Sequence, residues 1–143
     1  MVRIPLQKRC GRVRPLHGFT LVEIMIVVAI IALLATLAVP NFLRARLRSQ
    51  AVLVKEDLRM IDDAIGQYAF ENNKHSGSSV VFADIKPYLK SSSPLYATGA
   101  DVLGNIFGPT FTVSVYPYPP ALTYQALSGV TDAAFWSPFN TPP

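Results

Sequence analysis

The sequence offers very little thiol or metal chemistry. Its 143 residues include a single cysteine, Cys10, so no internal disulfide can form. It also contains no CxxC pair, no Cys/His cluster, no HExxH and no glycine-rich phosphate loop. The two histidines, His17 and His75, have no acidic or thiol neighbour at ligand spacing. We therefore expect no metal, no cofactor and no catalytic residue, and we do not expect an enzyme.

Acidic residues are absent from the first 18 positions, although five of the thirteen Lys and Arg side chains lie there. Without this segment, eight basic side chains remain against nine acidic ones, and the formal charge changes from +4 to −1. Beyond residue 75, the only basic side chains are those of Lys86 and Lys90. A nucleic-acid partner is therefore not expected, because phosphate contacts need a basic surface.

Residues 19–39 form an apolar run of 21 residues with one charge, Glu23. As a helix the run would span about 31 Å, close to the thickness of one hydrocarbon core. This length predicts a transmembrane helix. A secretory signal peptide is the competing interpretation, with a small-residue cleavage site near Thr36 to Ala38, although signal-peptide apolar regions are shorter, about 7 to 15 residues.

The basic side chains before the run predict that the N-terminus stays in the cytoplasm and that the remainder is carried outward. Arg44, Arg46 and Arg48 follow the run and favour the opposite orientation, but they are fewer. We expect a single pass through the inner (cytoplasmic) membrane, with the C-terminal part outside the cytoplasm. The predicted organisation is a cleaved leader at 1–18, a transmembrane helix at 19–39, an amphipathic helix at 40–74 and a small globular region at 75–143.

Residues 41–73 show the periodicity of an amphipathic helix, with apolar side chains at steps of three and four. The stripe comprises Leu43, Leu47, Ala51, Val54, Leu58, Ile61, Ile65 and Tyr68. Pro40 lacks an amide N–H, and Gly66 is about 1 kcal/mol less favourable in a helix than Ala. We predict one long helix from Phe19 to Asn73 with a kink at Pro40.

Residues 75–143 hold nine of the twelve prolines, which predicts short elements joined by turns. Residues 75–79 should form a loop, and residues 84–89 a short helix with Asp84 as N-cap. Residues 110–115 alternate and predict a strand, and residues 121–127 are a candidate for another. The predicted fold class is α+β, with the long kinked helix packed on a small antiparallel sheet.

The most specific motif is GFTLVE at residues 18–23, which follows a basic segment and opens the apolar helix. With Pro40 also in place, the sequence closely resembles type IV prepilins and type II secretion pseudopilins over residues 14–45. The resemblance implies that a prepilin peptidase cuts after Gly18 and that the new N-terminal residue, Phe19, is N-methylated. It also implies a type IV pilin-like fold, and assembly that depends on Glu23 and Thr20.

The chemistry of this segment supports the same interpretation. Gly18 leaves the backbone free to adopt an extended conformation in a protease cleft. A carboxylate such as Glu23 inside a membrane is unfavourable by about 2.5–3.5 kcal/mol, so a partner is expected. Cleavage creates one, because the free amine of Phe19 lies one helical turn away. The alternative is that Glu23 lies near the interface and has no role.

The resemblance implies a structural subunit, most simply a pseudopilin of a type II secretion pseudopilus. Its implied partners are further copies of itself, other minor pilins or pseudopilins, the prepilin peptidase, the membrane and an inner-membrane assembly platform. The mature protein would then lie in a periplasmic or extracellular filament. A surface type IV pilus subunit is the alternative, and a secreted or simply anchored protein is a second one.

Residues 101–109 look like a degenerate form of a loop found in major pseudopilins, which carry a calcium site further along. Asp101, Gly104 and Asn105 match that loop. Calcium needs six to eight oxygen ligands, and Asp132 is the only other acid beyond Asp101, so we do not expect such a site. The cluster Arg44, Arg46 and Arg48 is expected to be a run of charge that faces solvent or lipid headgroups. A sharper hypothesis pairs it with the acidic side chains of a neighbouring subunit, either Glu56 and Asp57 or Asp62 and Asp63.

Overall fold

A computed structural model describes residues 18–143 of the chain. The predicted leader, apart from Gly18, therefore lies outside the described residues. By internal contacts the chain divides into two compact units between Ala38 and Val39. The first unit is helical from Leu21 onward, and the second unit contains the remaining elements.

Helix α1, Leu21–Glu71, has 51 residues and includes Pro40. The predicted long helix is therefore present, shorter by two residues at each end than the range 19–73. Pro40 lies inside the helix as expected, and the kink there stays a prediction. The only acid in the first turn is Glu23.

The second unit contains short elements after α1, as the density of prolines predicts. They are β1 (Ser79–Val81), α2 (Phe82–Ile85), a 3-10 helix (Lys86–Tyr88), α3 (Pro94–Thr98), β2 (Thr110–Thr112), α4 (Ala121–Leu127) and α5 (Ala133–Trp136). Strands β1 and β2 pair antiparallel, with Val80 opposite Phe111. The long helix with a small antiparallel sheet confirms the predicted α+β pilin-like class.

Three local predictions are wrong or too long. Residues 121–127 form helix α4, because Thr123 and Leu127, four positions apart, are the residues that it buries. The predicted strand 110–115 ends at Thr112, since Ser114 turns the chain with a φ of 67°. Asp84 is not an N-cap: it lies in the first turn of α2, and its carboxylate accepts the amide N–H of Val81 at 3.3 Å.

The core forms on the predicted stripe of α1. The buried residues of this helix are Ala51, Val54, Leu58, Ile61, Ala64, Ile65 and Ala69. They belong to one cluster with Ile85, Leu95, Phe107, Leu127 and Trp136. The other residues of the second unit cover the stripe only from Leu47 onward. Leu47 is partly buried, whereas Leu43 is half exposed. The C-terminal half of α1 thus supplies one side of a core that the small C-terminal region could not build alone.

Candidate functional site

The predicted cleavage position lies outside the helix. Gly18 and Phe19 are non-helical, and one more non-helical residue, Thr20, separates them from the start of α1 at Leu21. The Phe19 side chain is 82% exposed, and a Cβ built on Gly18 would meet no described atom within 4 Å. No described residue therefore packs against the peptide bond between Gly18 and Phe19. A protease could bind the backbone here in an extended conformation.

Thr20 and Glu23 form a reciprocal cap at the start of α1. The Thr20 hydroxyl accepts the amide N–H of Glu23 at 3.2 Å. The Glu23 carboxylate in turn accepts the Thr20 amide at 2.8 Å and the Thr20 hydroxyl at 2.7 Å. This is the capping-box arrangement of a threonine followed three positions later by a glutamate. Thr20 and Glu23, to which the resemblance gave an expected role in assembly, are thus in direct contact.

The capping box was not among the sequence predictions, although its signal, Thr-x-x-Glu before an apolar run, is present. It matters because it fixes the direction of the lone carboxylate. One oxygen of Glu23 is held against the amide of Thr20, the residue next to Phe19. The carboxylate is therefore turned back toward the peptide bond that follows Gly18.

The first half of α1 presents an unburied apolar surface. Residues 18–46 are all exposed, and most of them are aliphatic. Within the described residues, one helix, α1, is long and apolar enough to cross a membrane by length and composition. An apolar surface of this size is not expected to face water and marks a membrane or protein contact.

Arg44, Arg46 and Arg48 follow the apolar run on the exposed surface of α1. Within residues 18–143, no carboxylate lies within 4 Å of their guanidinium groups. Arg44 and Arg48 line a groove of about 810 Å³ together with the turn at residues 128–132. Arg46 does not line it.

The acidic side chains proposed as partners of this cluster differ in their surroundings. Glu56 accepts a hydrogen bond from Arg59 at 3.2 Å in the same helix. Burial raises the pKa of Asp57 to about 6, and the carboxylates of Asp101 and Glu56 contribute to the rise. Burial also raises the pKa of Asp62, with a further contribution from Asp63. The pairing with a neighbouring subunit stays a prediction.

Asp101 and Asp132 are committed to hydrogen bonds that hold the fold. Asp101 is buried and accepts the amides of Leu103 at 2.8 Å and Asn105 at 3.0 Å. Asp132 caps helix α5 by accepting the amide of Phe135 at 2.8 Å. No group of three or more His, Cys, Asp and Glu side chains within residues 18–143 is placed to hold a metal ion. The two acids thus have structural roles at separate positions.

Comparison with known proteins places the segment 15–39 in a family model described as the prokaryotic N-terminal methylation motif. The chain is 41% identical over 69 residues to the type IV major pilin protein PilA of Myxococcus xanthus, an alignment that covers 48% of this chain and 31% of that protein. It is 35% identical over 72 residues to the type IV wide pilus major component PilA4 of Thermus thermophilus, with 50% and 55% covered.

A third relative is the type II secretion system core protein G of Klebsiella pneumoniae, with 36% identity over 59 residues, which covers 41% of this chain and 42% of that protein. The chain thus spans between about a third and just over half of the length of these curated relatives. No solved structure matches the chain.

Proposed function

We propose, from this confirmed resemblance to type IV pilins and type II secretion pseudopilins, that the chain is a structural filament subunit. It is made as a membrane precursor and polymerises through the first half of α1. The finer proposal is a pseudopilin of a type II secretion pseudopilus. Its role is structural and requires no catalytic residue.

The exposed apolar half of α1 carries this proposal. No part of the chain between residues 18 and 143 buries residues 18–46, so we expect lipid or other subunits around them. Transfer from a bilayer into a bundle of identical helices would keep this surface out of water throughout assembly. A simple membrane anchor would explain the apolar run, but it would not require the methylation motif at residues 15–39.

Cleavage after Gly18 would prepare the helix start for assembly. It would leave a positively charged amine on Phe19, next to the residue whose amide the Glu23 carboxylate already accepts. The attraction between an amine and a carboxylate is strong where water is excluded. Glu23 of one subunit can then recognise the Phe19 amine of its own chain or of the next subunit. Methylation of Phe19 retains that charge.

N-terminal sequencing and intact mass measurement of the mature protein test the proposal. Co-expression with a prepilin peptidase should give a chain that begins at Phe19 and carries one added methyl group. Gly18→Leu should block the cut without unfolding the chain, because an added Cβ there meets no described atom within 4 Å. A mature chain that begins at Val39 would instead indicate a secreted protein, and one that begins at Met1 a simple anchor.

A surface type IV pilus is the second candidate, because two of the relatives are named as type IV pilus proteins. Deletion of the gene in its own host separates the two candidates. A pseudopilin deletion should abolish secretion of an exported protein and leave surface filaments intact. A pilin deletion should remove the filaments and leave secretion unchanged.

A further inference from the structure

The groove beside Arg44 and Arg48 lies within the second unit and is not explained by the proposed polymerisation. Helix α1 forms one wall, and the turn at residues 128–132 forms the other. Arg44 and Arg48 are four positions apart, so both lie on the same face of the helix. Val52, Val130 and Phe135 add apolar surface to the lining.

The groove has a surplus of positive charge. Lys55 lies at the Phe135 side, where its ammonium group donates to the Phe135 carbonyl at 2.7 Å and lies 5.2 Å from the ring centre. Among the described residues that line the groove, Asp132 has the only carboxylate, which already accepts the Phe135 amide at 2.8 Å. The described lining therefore carries two arginines against one acid, and Lys55 lies beside it at Phe135 without lining it. A ligand that combines a phosphate with an apolar group would therefore match the side chains of this lining.

The position of the arginines along α1 indicates the source of that phosphate. Arg44 and Arg48 lie five and nine residues beyond Val39, the end of the apolar run, which is about 7.5 Å and about 13.5 Å along a helix. The headgroup layer outside the hydrocarbon core is about 5 to 8 Å thick on each side. Helical side chains also lean toward the N-terminus, which carries both guanidinium groups back toward the apolar run.

We propose that this groove binds the phosphate headgroup of an anionic phospholipid while the subunit is in the membrane. Arg44 and Arg48 donate to the phosphate oxygens, and the apolar lining contacts the glycerol and upper acyl carbons. The proposal rests on the membrane stage of the proposed function. It adds a lipid ligand that the subunit would release when it leaves the bilayer.

Native mass spectrometry of the full chain in neutral detergent tests the proposal. The probes are short-chain phosphatidylglycerol, phosphatidylcholine of the same chain length, and glycerol phosphate, which has no acyl chains. Arg44→Gln and Arg48→Gln are compared with Arg46→Gln, a matched control that removes the same charge between them but outside the groove. Gly129→Glu adds a carboxylate to the lining, where a Cβ meets no described atom within 4 Å.

The expected result is preferential binding of phosphatidylglycerol, weakened about tenfold by Arg44→Gln or Arg48→Gln, because each loses a charge-assisted hydrogen bond. Gly129→Glu should weaken it similarly with all arginines intact, and Arg46→Gln should have less than about a twofold effect. An equal effect of Arg46→Gln would overturn the proposal in favour of diffuse surface charge. Full displacement by glycerol phosphate would indicate a soluble phosphate site instead.

A second copy of the chain is the other occupant that the test detects. Dimers that form without phosphatidylglycerol and disappear with Arg44→Gln would show that an acidic surface of another subunit fills the groove, which also overturns lipid binding.

The measurement of lipid binding is independent of cleavage and of filament formation. A chain that binds phosphatidylglycerol but is not cut after Gly18 would contradict the proposed function alone, and a chain that is cut but does not bind would contradict the groove alone.

Discussion

Thr123, on α4, donates its hydroxyl hydrogen to the carboxylate of Asp101, 22 positions earlier in the chain. Asn105 closes the network, because its side-chain amide donates to the Thr123 hydroxyl at 2.9 Å. Asp101 and Thr123 are both buried, so each polar atom depends on these partners. The network ties the loop after α3 to α4 and thereby to the core.

Replacement of Thr123 by Val should destabilise the fold. The change keeps the side-chain shape but leaves an oxygen of Asp101 and the amide of Asn105 without their partner, which should lower the free energy of unfolding by about 1–3 kcal/mol. Thermal unfolding of the full chain in detergent, followed by near-ultraviolet circular dichroism of the only tryptophan, Trp136, measures the effect. Thr110→Val, at an exposed strand position, is the control, and equal melting of the two variants would contradict the prediction.

Only part of this network could be predicted from the sequence. The turn character of residues 101–105 was predictable from Asp, Gly and Asn, because these residues favour turns locally. The partner of Asp101 was not, because a contact over 22 positions leaves no local pattern. Residues 121–127 were a candidate strand, yet they form a helix that leaves Leu122 exposed and buries Thr123.

The long helix was easier to predict, since its periodic stripe is a local property. Its start was predicted two residues early, at Phe19, although Thr20 and Glu23 stand at capping-box spacing. The sequence did not indicate where the stripe becomes covered. That boundary, between Leu43 and Leu47, depends on which loops of the C-terminal region reach the helix.

Asp57 should make stability depend on pH. Its ordinary pKa of 3.8 rises to about 6 in the folded chain, first because of burial and then because of Asp101 and Glu56. A carboxyl group whose folded pKa exceeds its unfolded pKa binds protons more tightly in the native state. The free energy of unfolding should therefore fall as the pH rises from about 4 to about 6, and remain lower above that range.

Asp57→Asn should remove this dependence. Since the side chain is only half-buried, solvent screening reduces the effect, and we expect about 1 kcal/mol of added stability at pH 7.5 and none at pH 4. Thermal unfolding at the two pH values measures it. Asp63→Asn makes the same chemical change at an exposed position of α1 and serves as the control. An equal gain from Asp57→Asn at both pH values would rule out titration as its cause.

Two glycines should respond to alanine with opposite signs. Gly99 ends α3 with a φ of 67°, a conformation that is unfavourable for any residue with a Cβ, so Gly99→Ala should destabilise the chain by about 1–2 kcal/mol. Gly66 lies in α1 with no described atom within 4 Å of an added Cβ. Gly66→Ala should therefore stabilise by about 0.5–1 kcal/mol. Urea unfolding in detergent gives both values, and the same sign for both would contradict the assigned backbone conformations.

Glu23→Gln should separate processing from assembly. The proposed peptidase site at Gly18 and Phe19 is unchanged, so cleavage should proceed, but the neutral side chain no longer attracts the new amine where water is excluded. We expect the fraction of subunit in sheared filaments, measured by immunoblot against the membrane fraction, to fall about tenfold or more.

Thr20→Val removes the hydroxyl that binds Glu23 and keeps the carboxylate, so its effect should be intermediate. Thr36→Val is the matched control, because that hydroxyl donates to the Leu33 carbonyl within the same helix and does not contact Glu23. Normal incorporation of Glu23→Gln would mean that the carboxylate serves only to cap the helix, a role that glutamine can also fill.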